Sequence, residues 1–164
     1  MFVNHKDPPP TMLPRIESGY EDLQYLKANV WIGKIQEIRL ERCHKVFFRV
    51  FWLYWPEELP GGREPYHGQW ELILSNHADI VELSTVSDVA DVLTWDELDE
   101  RCGLISNTPF WRQTYNLLQR HSLRKKGLSF VRRHCHCLKE YNPDKNMIQL
   151  PGDERWYHEE CVTN

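Results

Sequence analysis

No stretch of this chain approaches the roughly 18 consecutive apolar residues that a membrane helix requires, so no membrane partner is expected. The N-terminus, MFVNHKDPPPTMLPR, lacks both an apolar segment of secretory length and a small-residue cleavage site. That predicts a chain that is intracellular and not secreted. Surplus positive charge is missing too: 20 Lys and Arg stand against 24 Asp and Glu, a formal net charge of −4. Non-specific DNA binding rests on a surplus of cations facing phosphates, so it is excluded as the main activity. The 5 cysteines are an odd number, which argues against a closed disulfide framework. There is no glycine-rich phosphate loop, no HExxH motif and no internal repeat. A Cys–His nucleophile pair could be drawn only from Cys43 with His44, or from Cys102 with a distant histidine. Neither has a third orienting group in view. The chain is therefore read as a non-enzyme with no small-molecule substrate.

What is present suits one folded domain with a small satellite. The 164 residues are 41% hydrophobic, enough for a core, and include 7 Trp and 7 Tyr. Residues 1–28 read as an N-terminal extension, weakly patterned because Pro8, Pro9 and Pro10 preclude regular structure, with a short helix near Tyr20–Lys27. Trp31–Leu40 reads as a strand and Glu41–Lys45 as its turn. Val46–Trp55 is β-branched and aromatic on both faces, which predicts a central strand covered on both sides. Val46, Phe48, Val50, Trp52 and Tyr54 share one face by the period of two. Pro56 ends that strand, and Pro60, Gly61 and Gly62 make a turn. Glu71–Ser75 is a short strand, and Asp79–Asp91 reads as further short strands with turns. Thr94 followed by Glu97 is a capping box for a short helix. Phe110–Gln119 is ambiguous between a helix opened by Thr108 and Pro109 and a strand. A basic linker over 121–133 contains Gly127, and a distinct tail occupies 134–164.

The tail carries metal chemistry. Cys135 and Cys137 lie close together, and His158 and Cys161 follow about twenty residues later. Three thiolates and one imidazole make a tetrahedral zinc set, and four protein ligands leave no open position, so the site is structural. A site this small is expected to fold only with its metal. His134 and His136 are taken as exposed bystanders.

With Tyr141, Asn142, Pro143, Asp144, Trp156, Tyr157 and His158 added to those cysteines, the tail resembles a PHD finger. Leu150 and Asp153 stand where that family has its third and fourth ligands, and the last cysteine pair does not appear. The resemblance implies a half finger with one Zn2+. Upstream, Trp31-Ile-Gly-Lys-Ile, Arg49 through Glu58, Gly61-Gly62-Arg63, Tyr66-His67-Gly68, Glu71-Leu72 and Ser75-Asn76-His77 resemble a BAH (bromo-adjacent homology) domain over 29–120. The whole is similar to short plant and fungal BAH–PHD chromatin readers.

That resemblance implies a mainly β fold, a twisted and partly open barrel with short helices. It favours the strand reading of Phe110–Leu117. The family's opening strand, of the type G-D-x-V, is not found in Thr11–Asp22, so the first edge is expected to be replaced or missing. It implies a nuclear, non-enzymatic reader of trimethyl-lysine on a histone tail, most of all the Polycomb-type repressive mark. Trp31, Trp52 and Tyr54 map onto the aromatic cage, while Glu57, Glu58, Asn76 and His77 map onto peptide contacts. Each aromatic face supplies about 0.5–2 kcal/mol to a quaternary ammonium. The acidic residues crowding 82–100 could meet a basic tail. Trp55, Trp70, Trp95 and Trp111 are assigned to the core. Tyr141 and Trp156 occupy positions that are cage walls in some PHD fingers, but the tail is read as a structural appendage. Arg124, Lys125, Lys126, Arg132 and Arg133 could touch the DNA phosphates of a nucleosome. The competing reading is a protein-interaction scaffold that has lost methyl-lysine binding.

Overall fold

The computed structural model describes residues 2–5, 20–42, 44–100, 107–119 and 128–162. Pro8, Pro9, Pro10, Cys43, Cys102, Arg124, Lys125, Lys126 and Gly127 lie outside them. Among the described residues the elements run β1 (Phe2–His5), α1 (Tyr20–Asn29), β2 (Trp31–Leu40), β3 (Val46–Tyr54) and β4 (Glu71–Glu82). Then come β5 (Val86–Ala90), β6 (Leu93–Thr94), α2 (Trp95–Glu100), β7 (Phe110–Tyr115), β8 (Met147–Gln149), β9 (Trp156–His158) and α3 (Glu159–Val162). The fold is mainly β, as expected.

One seven-stranded sheet has the order β5-β1-β2-β3-β4-β7-β6, and its covalent connections force it to curl. Only Leu83, Ser84 and Thr85 join β4 to β5, four places away in the sheet. In a flat sheet that gap would be about 19 Å, whereas four Cα steps reach about 14 Å at most. Asp91 and Val92 alone join β5 to β6, at opposite edges. The sheet therefore rolls until its edges approach, giving a half-barrel. β1 pairs with both β2 and β5, so Phe2–His5 is the chain's opening strand and lies inside the sheet, with β5 as the edge beyond it.

The core is completed by α1, whose Leu23 and Leu26 fall on one face, and by Val30 just after it. They pack with Ile32, Leu53, Trp55, Trp70, Leu72 and Phe110 in one cluster. A second cluster of Phe48, Val50 and Trp52 lies against the other face of β3. Strand β3 is thus the central strand its composition predicts, though both faces are covered only toward its C-terminal end. Of the four tryptophans assigned to the core, Trp55 and Trp70 are buried, while Trp95 and Trp111 are partly buried against the first cluster.

Two expectations change, and one ambiguity is resolved. Strand β4 runs unbroken to Glu82 instead of ending at Ser75, because residues 78–82 continue to pair with Phe47–Phe51. Phe110–Tyr115 is the strand that the resemblance favours, but it runs parallel to β4, and its pairing with the sheet outweighs the local helix-start signal of Thr108 and Pro109. The end of the linker is not free. Leu128 bridges to Tyr115 and the Ser129 N–H donates to the Thr114 carbonyl at 2.8 Å, so the chain runs along β7. Thr94 and Glu97 do form the capping box of α2, with Glu97 Oε2 accepting from the Thr94 N–H at 2.7 Å.

Candidate functional site: an aromatic cavity and a Cys3His cluster

A cavity of about 150 Å³ opens beside the central strand, lined by Trp31, Trp52, Tyr54, Glu58, His77 and Asp79 among others. Its geometry begins with a glycine. A Cβ at Gly33 would lie 3.2 Å from the Val50 Cβ and 3.3 Å from the Trp52 ring, so the glycine leaves room for that ring to lie across β2, and a side chain there would push it by a few tenths of an ångström. Trp31, two residues earlier on the same face, then meets Trp52 edge to face, with centroids 5.7 Å apart and planes at 81°. Trp52 is 5% exposed and forms the floor; Trp31 is 57% exposed and forms the lip.

The third wall depends on a bulge. Phe51 pairs with Ala78 but Leu53 pairs with Leu74, so Ser75, Asn76 and His77 stand opposite Trp52 alone. Bulges of this kind re-aim side chains and leave ladder groups unpaired. Ser75 repairs the loss: its hydroxyl donates to the Trp52 carbonyl at 2.8 Å and accepts from the His77 N–H at 3.1 Å. His77 then meets Tyr54, with Nδ1 2.5 Å from the phenol oxygen. Their rings are parallel within 2° at a centroid distance of 6.2 Å, joined end to end.

Two carboxylates border the cavity. Glu58 Oε2 accepts from the Trp55 N–H at 2.7 Å, and Asp79 Oδ1 accepts from the Ile80 N–H at 2.8 Å. Burial raises the Glu58 carboxyl, opposed by the Trp55 N–H and reinforced by Glu57. Burial, then the Glu58 charge, raises the Tyr54 phenol, which keeps its proton. Aromatic faces with adjoining negative charge suit a poorly hydrated cation.

The structure thus brings Trp31, Trp52, Tyr54, Glu58 and His77 to one cavity. Glu57 is turned elsewhere, ion-paired to Lys27 at 2.7 Å and Arg63 at 2.9 Å. Asn76 bonds Asn116 and the Leu117 N–H, each at 2.9 Å, and does not line the cavity. Asp79 and Gly33 were missed by the sequence reading. Gly33 leaves a signal, a glycine inside a strand.

The second cluster lies in the tail. One ligand atom from each of Cys135, Cys137, His158 and Cys161 falls within 4.8 Å of the others. His158 Nδ1 is 3.3 Å from the Cys137 sulfur and 3.9 Å from that of Cys161. The edges of a tetrahedron with metal–ligand distances of 2.0–2.3 Å are about 3.3–3.8 Å, so the donors fit a Cys3His metal site. Burial pushes the Cys135 thiol up, but N–H groups of Cys137 and His158 and bonds from the neighbouring thiols hold it at about 6. Burial and those same sulfurs drive Cys161 up to about 11. Holding all three sulfurs as thiolates side by side would need a central cation. His134 and His136 are exposed, beside Tyr141 and Tyr157. The Asp153 carboxylate is occupied by Arg155 and by the Tyr157 hydroxyl at 2.5 Å.

The tail is docked on the barrel by contacts that no motif announced. The Asn142 amide donates to the Pro65 carbonyl at 2.9 Å, and Asp144 Oδ2 accepts from the Gln69 N–H at 2.5 Å. A Cβ at Gly68 would lie 3.3 Å from both Pro143 and Asp144. Arg112 joins everything. Leu72 pairs with Trp111 and Ile73 with Gln113, so Arg112 is itself a bulged residue. Its Nε donates to Glu71 at 2.8 Å, and its Nη atoms donate to the carbonyls of Tyr66 at 2.6 Å and Tyr141 at 3.2 Å. The guanidinium sits 5.6 Å from the Trp95 ring and 5.3 Å from the Tyr141 ring. Tyr141 therefore faces inward, whereas Trp156 is exposed. Arg132 and Arg133 are exposed, and Arg133 pairs with Glu140 at 3.0 Å.

No family model matches the chain. It is 29% identical over 132 residues to Chromatin remodeling protein EBS of Arabidopsis thaliana, covering 80% of this chain and 55% of that protein. It is 31% identical over 133 residues to Chromatin remodeling protein SHL of the same plant, covering 80% and 57% respectively. The chain thus spans little more than half the length of these relatives. Among solved structures, the yeast Rsc2 BAH domain aligns with a TM-score of 0.42 and 15% identity, over 63% of this chain and 43% of that one. The resemblance to plant chromatin proteins drawn from the sequence is borne out.

Proposed function

Taking kinship with plant chromatin proteins as the premise, we propose that this chain is a nuclear, chromatin-bound reader. It takes trimethyl-lysine on a histone tail, foremost the Polycomb-type repressive mark, into the cavity of Trp31, Trp52 and Tyr54. The observation that carries this reading is the convergence of the three rings on one cavity bordered by Glu58 and Asp79. A trimethylammonium group cannot donate a hydrogen bond, so aromatic faces and nearby negative charge are the groups suited to hold it.

In the same reading the tail holds one structural Zn2+ through Cys135, Cys137, His158 and Cys161. When bound, the ion keeps three sulfurs as thiolates and ties the tail's ends together. Nucleosomal DNA is a secondary partner for Arg132 and Arg133 with Arg124, Lys125 and Lys126. Affinity for nucleosomes should then fall steeply with salt while affinity for bare peptide does not.

The test is calorimetric titration of the zinc-supplied protein with histone-tail peptides, trimethylated at lysine twenty-seven and unmodified. Binding near micromolar that disappears without the methyl groups and with Trp52→Ala supports the reading. Equal or absent binding of both peptides by a folded protein overturns it, leaving the scaffold reading.

A further inference from the structure

We propose that His77 is the residue that sets the cage wall, accepting the Tyr54 phenol proton at Nδ1 and so fixing that ring's plane. This inference rests on the cavity being a methyl-lysine site, and it assigns His77 a part other than peptide contact.

The argument starts from the freedom of Tyr54. Its side chain is half-buried at the cavity edge, at the last residue of β3, where the strand gives way to Trp55 and Pro56. A tyrosine ring there can swing about two side-chain torsions, and a wall that swings gives a cation little. A bond at the far end of the ring removes that freedom. The Nδ1 atom lies 2.5 Å from the phenol oxygen and the two planes agree within 2°, the orientation in which the imidazole lone pair meets the phenol proton.

His77 reaches that point only because of the bulge. Three residues of β4 face the single residue Trp52, and Ser75, 3% exposed, pins the distorted segment through the Trp52 carbonyl and the His77 N–H. A β4 segment in plain register would carry residue 77 along the ladder instead. The bulge thus fixes the backbone behind Trp52, and the His77–Tyr54 bond fixes the Tyr54 ring. With Nδ1 accepting, the imidazole proton sits on Nε2. The charged and titratable groups facing His77 in the cavity are Tyr54 from β3, Glu58 from the turn after it and Asp79 from β4.

The experiment has two arms. Without peptide, nitrogen-15 NMR of the histidine rings should show His77 as the Nε2–H tautomer, its Nδ1 shift changing in Tyr54→Phe. An Nδ1–H tautomer, or a His77 signal indifferent to Tyr54→Phe, overturns the assignment whatever the protein binds. With trimethyl-lysine peptide, Tyr54→Phe and His77→Phe should each weaken binding about fivefold, the worth of one hydrogen bond. The double variant should be no weaker than either single one. His77→Asn, which keeps an acceptor near the Nδ1 position, should stay within about twofold of wild type. Multiplying losses, or an Asn variant as weak as the Phe variant, would overturn the positioning role. A wild type that binds no methylated peptide sinks the reader assignment instead, and the tautomer arm still decides the bond.

Discussion

Two aromatic enclosures suited to a cation stand in this molecule, and they differ in what occupies them. Trp95 and Tyr141 hold the guanidinium of Arg112, with Glu71 ion-paired to it at 2.8 Å and side chains only 5% and 0% exposed. Trp31, Trp52 and Tyr54 line a cavity open to solvent, and the Trp31 lip is 57% exposed. Both sit at sheet bulges, one on β7 and one on β4. The difference lies in directed acceptors. The guanidinium has five N–H donors in one plane, and Glu71, Tyr66 and Tyr141 supply carboxylate and carbonyl oxygens to meet them. The cavity offers faces and flanking charge, with Glu58 and Asp79 already accepting backbone N–H groups. A closed enclosure joins two parts of the chain; an open one suits a ligand that has no donors to satisfy.

The closed side should break most completely through the metal. Apparent binding energies of structural zinc run to about 10–16 kcal/mol. Elemental analysis should give one zinc per chain. Chelation, or Cys161→Ser, should abolish hydrogen-exchange protection through the tail and also weaken it at Gln69, whose N–H bonds Asp144. A metal-free tail that stays protected would show that docking alone orders it.

Arg112→Ala comes next. It leaves the Glu71 carboxylate buried beside only the Gly68 N–H, 2.9 Å away. Removing one partner of a buried pair costs about 3–5 kcal/mol, read as a lower urea midpoint. Arg112→Lys keeps the charge but loses the fork, and should fall between the two. If alanine costs under about 1 kcal/mol, the enclosure is not what holds tail to barrel.

Acid should loosen the same side through the loop the tail docks on. His67 is 3% exposed, its Nδ1 accepts from the Glu64 N–H at 2.9 Å and its Nε2 faces Gln113 at 3.1 Å. Burial lowers it to about 4, against Gln113. Its folded value lies below the unfolded one near 6.5. The stability it contributes is therefore whole above pH 6.5 and lost as pH falls toward 4. The loss amounts to up to about 3 kcal/mol. His67→Gln should flatten that limb of the pH–stability curve.

Legibility in the sequence divides along the same line. The central strand showed itself through VFFRVFWLYW, and the Cys3His set through its spacing, because composition and spacing are properties of sequence alone. Trp31, Trp52 and Tyr54 were placed by resemblance, and the alternation of β3 explains why Trp52 and Tyr54 share a face. Bulges left no such trace. Nothing in Ser75-Asn76-His77 says that three residues will oppose one, so Asn76 was read as a peptide contact and bonds Asn116 instead. Nothing in Trp111-Arg112-Gln113 says that the arginine turns inward to Glu71. The strand Phe2–His5 was hidden by the prolines that follow it, because its pairing with β2 and β5 is wholly long-range.

The smallest change to the fold should fall at Trp31, and it separates the two enclosures most sharply. More than half its surface faces solvent and its principal ring contact is the edge of Trp52. Trp31→Ala should therefore alter stability by no more than about 1 kcal/mol, the range of one aromatic pair with modest burial. Its effect on methyl-peptide affinity should be disproportionate, about tenfold or more, because one aromatic face is worth up to about 2 kcal/mol to a desolvated cation. A variant that loses both in proportion would make Trp31 part of the core, and the open enclosure would then be no more than a gap in the packing. A variant that keeps its melting temperature and loses the peptide would show that this rim is held outside the core for a ligand, as the Arg112 enclosure is held within it for the chain itself.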